Sequence, residues 1–186
     1  MNKQFLENSK TMKMTLCALF VALTAIGAFI KIPGPMAPFS LQVLFVLMAG
    51  IILGPRLGFI SQICYITIGL IGLPIFALGG GPSYIFQPSF GFLLGFAAAA
   101  FVVGELVERS KPLTFVKLLA ISSAGLGTIY AVGLPYLYFM VNVYMGDTMS
   151  LASVIWSAGI LFLPGDFIKL ALASFLSLKI THALKI

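Results

Sequence analysis

The chain has 186 residues, 60% of them hydrophobic and 9% charged, with a mean hydropathy of +1.11. A soluble domain carries about 25% charged residues, so a water-soluble enzyme or nucleic-acid binder is excluded and an all-α integral membrane protein is expected. The net charge of +6 then reports orientation in the lipid bilayer rather than a polyanionic partner.

At about 20 apolar residues per span, the length holds on the order of six helices, folded as one transmembrane domain over residues 1–186. Residues 1–11 are polar and carry Lys3, Glu7 and Lys10; the first helix is expected over about 12–30. It is too long for a signal-peptide core and further spans follow it. Within it Ala18, Ala22 and Ala25 form a stripe of small residues that lets another helix backbone approach closely in lipid. Alanine is also common in membrane helices, so the stripe is either a docking face or composition alone. Cys17 and Cys64 lie in apolar runs, behave as small hydrophobes and show no metal-ligand spacing.

Three prolines make residues 32–40 a stiff, non-helical loop. The second helix, over about 41–53, is only about 20 Å long, short for a bilayer core. Gln42 is its one polar side chain, bonding either loop backbone or a ligand. Residues 54–58, Gly-Pro-Arg-Leu-Gly, read as a basic cytoplasmic turn into a third helix over about 59–73. Ser61, Gln62, Tyr65 and Gly69 put a polar stripe on the protein-facing side of that helix. Residues 72–91 contain no charge and are too apolar for a free loop; they are expected to form a re-entrant outer loop that acts as a lid. Gly79, Gly80 and Gly81 within it are not a phosphate-binding loop, because no Gly-Lys dipeptide follows.

A fourth helix over about 90–107 ends in Glu108, Arg109 and Lys111, and a fifth covers about 113–132. Tyr130, Tyr136, Tyr138 and Tyr144 fit an interfacial belt for the most part, with a ring-stacking wall as the other reading. Residues 142–150 form an outer loop, residues 151–162 a further apolar piece, and the sixth helix starts at Pro164. Counting Lys and Arg by side leaves Lys31 outside and Lys169 in the membrane, so both termini are expected in the cytoplasm.

The stretch Pro164-Gly-Asp-Phe-Ile-Lys169 sets an acid and a base three residues apart, on one face of that last helix. Ionisable groups within the membrane cost about 2.5–3.5 kcal/mol each, so Asp166 and Lys169 mark a ligand site opening outward; the competing reading is a self-neutralising pair that locks two helices. Asp166 can accept from an N–H and Lys169 can serve a carbonyl or carboxylate. No inverted repeat and no second charged pair favours an autonomous secondary transporter for a small carboxylate or vitamin, which stands as the alternative. Lone His182, the absence of a His/Cys cluster and of paired carboxylates leave no reaction centre, so the chain is read as not an enzyme, with no cofactor and no metal.

Taken together, residues 33–42, Leu53-Gly-Pro-Arg-Leu-Gly58, Gly69-Leu-Ile-Gly-Leu-Pro74, the glycine-rich lid, Pro88-Ser-Phe-Gly-Phe-Leu-Leu-Gly-Phe96 and Pro164-Gly-Asp-Phe-Ile-Lys169 resemble the BioY family. Members are biotin-binding S components of energy-coupling factor (ECF) transporters. The resemblance implies a six-helix bundle in the plasma membrane that captures biotin outside the cell. It also implies a transmembrane coupling protein and ATPase subunits as partners, the coupling protein docking on Ala18 and Ala22. By the same resemblance Asp166 and Lys169 match the residues around the ureido ring. Some members carry an asparagine in the glycine run and an arginine after it; Gly79 and Leu93 stand there, which leaves Gln87, then Tyr84 and Ser83, as local polar substitutes.

Overall fold

The computed structural model describes residues 10–34 and 37–184, so Lys3, Glu7, Pro35 and Lys185 lie outside the described residues. The chain forms helix α1 (Lys10–Phe29), a two-stranded antiparallel ladder of β1 (Lys31–Ile32) and β2 (Phe39–Ser40), and α2 (Gln42–Leu70). Helix α3 (Phe90–Arg109) follows, then α4 (Phe115–Phe139) with a π turn at Met140–Tyr144, α5 (Leu151–Ala158) and α6 (Leu163–Leu184). Among the described residues, five segments are long and apolar enough to cross a membrane: Lys10–Phe29, Gln42–Leu70, Phe90–Arg109, Phe115–Tyr144 and Leu151–Ala183.

Helix α2 is not one rod. Gly54 sits at φ 78° and ψ −179°, a conformation open in practice only to glycine. The side chains of Gln42 and Tyr65 meet at 2.8 Å, although a straight helix would separate them by about 34 Å. The element is therefore a helical hairpin with antiparallel arms 42–53 and 55–70. The expected five-residue turn at 54–58 is corrected: Gly54 alone reverses the chain, and Pro55 opens the second arm at a position where its missing N–H is no loss. Helix α3 packs on the hairpin tip through Gly104, where a Cβ would stand 2.3 Å from the Pro55 nitrogen.

Two further boundaries differ from expectation. Helix α4 runs past residue 132 and carries Pro135 inside it, since neighbouring elements can satisfy the backbone that a proline frees in a membrane helix. The two ends of the expected loop pair as a ladder, Lys31 with Ser40 and Ile32 with Phe39. Leu41 N–H donates to the Gly27 and Ile30 carbonyls at 3.1 Å, fastening this ladder to the end of α1.

Polarity is arranged inside out. On one turn of α6, Phe167 and Ile168 are 62% and 64% exposed while Asp166 and Lys169 are each 2% exposed. Ser61, Gln62 and Tyr65 are likewise buried, Tyr65 in a cluster with Val46, Phe76, Phe96 and Ile129. Apolar side chains outward and ions inward are the pattern of a bundle solvated by lipid.

Candidate functional site

The ion pair of α6 forms the floor of a cavity lined by the β2 strand, the start of α2, the lid, α3, α4 and α6. Lys169 Nζ lies 2.6 Å from Asp166 Oδ1, donates to the Ser40 carbonyl at 2.9 Å and sits 3.5 Å from the centroid of the Phe39 ring. Tyr130 of α4 donates its hydroxyl to Asp166 Oδ2. Both charges are thus held by groups from two other elements, β2 and α4. Two sides of the cavity are aromatic: Phe39 stacks on Phe162 at 5.4 Å, and Phe92 meets Tyr130 edge-on at 6.2 Å.

A polar chain runs from this floor. Ser40 Oγ donates to Gln42 Oε1 at 2.8 Å, Gln42 Nε2 to the Tyr65 hydroxyl at 2.8 Å, and that hydroxyl to the Ile75 carbonyl at 2.8 Å. Gln42 therefore bonds side chains and lines the cavity as well.

Residues 72–89 cover one end of the cavity, which Ala77, Tyr84 and Ser89 line. Phe76 turns inward, 1% exposed, between the Tyr65 ring at 5.3 Å and the Tyr84 ring at 4.6 Å. Gly81 N–H reaches the Gly69 carbonyl at 2.8 Å, and Gly79 and Gly81 adopt φ of 118° and 104°, values that favour glycine. A Cβ on Gly80 would stand 2.2 Å from the Leu73 carbonyl oxygen. The lid is fastened on both sides: Lys31 Nζ donates to the Ala77 carbonyl, the Tyr136 hydroxyl donates to the Ile85 carbonyl, and Phe86 stacks on Tyr144 at 5.1 Å. Burial pushes the Tyr84 hydroxyl above the usual tyrosine value, so it stays protonated and can donate.

Of the residues singled out in the sequence, Asp166, Lys169, Gln42 and Tyr84 line one cavity. Ser83 and Gln87 are exposed on the lid and do not line it, because the tight turn Pro82–Phe86 buries Tyr84 and turns its neighbours outward. The three glycines shape the lid rather than the cavity wall. Leu93 lines the cavity as an apolar group. Tyr130, Ser40, Phe39 and Phe162 belong to the site without having been singled out for it; for Tyr130 the available signal was a hydroxyl in the middle of an apolar run. On α1, Ala18 and Ala22 face outward, whereas Ala25 is half-buried and packs against the core cluster that holds Val46, Tyr65 and Phe96.

The profile of the BioY family matches residues 1–186. The chain belongs to the BioY family. Two BioY relatives resemble it over most of their length. The probable biotin transporter BioY of Lysinibacillus sphaericus is 46% identical over 169 residues, 91% of this chain and 86% of that protein. The biotin transporter BioY of Thermotoga maritima is 38% identical over 163 residues, 87% and 91% of the respective chains. The fold is similar to the crystal structure of the S-component for biotin from an ECF-type ABC transporter. The TM-score is 0.82 and the identity 26%, with 98% of this chain and 95% of that one covered. BioY proteins are transporters, not enzymes, and the several apolar helices make this chain a multi-pass membrane protein.

Proposed function

We propose that this BioY chain captures biotin from outside the cell as the S component of an ECF importer, with Asp166, Lys169, Gln42 and Tyr84 as the polar contacts. The observation that carries the reading is the buried Asp166–Lys169 pair facing a cavity with aromatic walls. A bicyclic ligand with an apolar thioether ring suits Phe39, Phe92 and Phe162. Its ureido group needs one acceptor and one donor, which Asp166 and Lys169 offer side by side. Counting the arms of the α2 hairpin separately gives six passes. With the basic residues Arg56, Arg109, Lys111 and Lys117 on the inner side, both termini are cytoplasmic and residues 72–89 form the re-entrant outer loop. The exposed Ala18 and Ala22 of α1 dock the transmembrane coupling protein, whose ATPase subunits supply the energy.

A thermal-shift panel of vitamins on the purified protein tests this, since a ligand that binds only the folded state stabilises it by RT ln(1 + [L]/Kd). Biotin is expected to raise the midpoint at micromolar concentration while unrelated vitamins do not. A shift with another vitamin and none with biotin would refute the proposal.

A further inference from the structure

We infer that Lys31 supplies the counter-charge for the ligand's carboxylate at the mouth of the cavity, an inference that rests on the reading of the ligand as biotin. The cavity lining holds one acid and one base, and these are already paired at 2.6 Å. Lys169 Nζ spends its remaining directions on the Ser40 carbonyl and the Phe39 ring. An anionic tail entering beside this pair finds no net positive charge, and burying an uncompensated anion is costly.

The other described cations lie at the start of α1, near the Gly54 reversal, around residues 109–117 and late in α6, at the opposite end of the helices from the cavity. Lys31 is the exception. It pairs with Ser40 across the ladder, and directly opposed residues of an antiparallel pair project from the same face. Ser40 lines the cavity and its hydroxyl donates to Gln42, so Lys31 stands directly across the ladder from a lining residue. Its ammonium reaches the carbonyl of Ala77, itself a lining residue. An ammonium has three donors, so two remain for a carboxylate. Lys31 is exposed and so open to an arriving ligand. The ring system is thus read at the floor by Asp166 and Lys169, and the tail at the rim by Lys31.

The competing role for Lys31 is a clasp that merely ties the ladder to the lid. Equilibrium binding of biotin and of biotin carboxamide, which lacks the negative charge, to the purified full-length protein separates the two. Lys31→Gln should weaken biotin about tenfold, as loss of one charge-assisted contact does, and leave the carboxamide unchanged. Lys31→Arg should retain biotin affinity within about threefold, because the charge is kept. An equal loss for both ligands makes Lys31 a clasp, and no loss for either makes it a bystander; each result overturns the inference while wild-type biotin binding still stands. Failure of the wild type to bind biotin overturns the ligand reading and this inference with it.

Discussion

Asp166 has both carboxylate oxygens engaged, Oδ1 by Lys169 and Oδ2 by Tyr130. A ligand N–H must share one of these acceptors, so the aim of the carboxylate matters as much as its charge. Asp166→Asn keeps the shape but removes a charge-assisted bond worth roughly 1.5–3 kcal/mol, and affinity should fall by about one to two decades in a calorimetric titration. Tyr130→Phe removes the group that aims Oδ2 and should weaken binding by less, about threefold to tenfold, with the fold retained. An unchanged affinity would show that Tyr130 plays no part in positioning. The acid and base were legible in the sequence because charge in an apolar run is expensive, and Gln42 stood out for the same reason. Tyr130 was not, because ending its helix at residue 132 put it at the interface. Continuation of α4 through Pro135 makes it a mid-span residue.

The lid and the hairpin are set by a few close backbone approaches. Gly80 packs so tightly on the Leu73 carbonyl that a methyl group cannot be accommodated without moving the backbone. Gly80→Ala should cost the closed lid about 1–3 kcal/mol, and biotin dissociation should accelerate by roughly tenfold or more in stopped-flow measurements. Matching rates would leave the lid as static packing. At the other end, Gly104→Ala pushes α3 off the Gly54–Pro55 tip. It should lower the thermal midpoint by a similar energy while leaving ligand stoichiometry intact. Helices were legible at this scale from apolar runs closed by charges and prolines. The α2 reversal was legible as a tight turn at 54–58, but not that Gly54 makes it alone, which only the backbone of Gly54 decides. The lid was legible as irregular, uncharged backbone, but which of its side chains turn inward depends on the tight turn at Pro82–Phe86.

For the molecule as a whole, α1 presents one face outward and packs another inward. Ala18 and Ala22 lie on its exposed face with Leu19 and Ile26, while Ala25 packs inward. Ala18→Trp or Ala22→Trp should therefore leave biotin binding intact and abolish ATP-driven uptake in a reconstituted complex. Ala25→Trp should instead lower thermal stability by overpacking. Uptake unaffected by either exposed tryptophan would rule out this face as the docking surface. The central claim, that the buried pair of α6 recognises biotin, is tested most directly by equilibrium binding of labelled biotin to the wild type and to Asp166→Asn/Lys169→Met. Removing both partners of a buried pair is often neutral for folding, so the double variant should purify as a monodisperse protein. The wild type should show one saturable site, and the double variant should bind at least about tenfold more weakly, roughly 1.4 kcal/mol. A double variant that binds biotin as tightly as the wild type would contradict the account and leave the pair as a lock between helices.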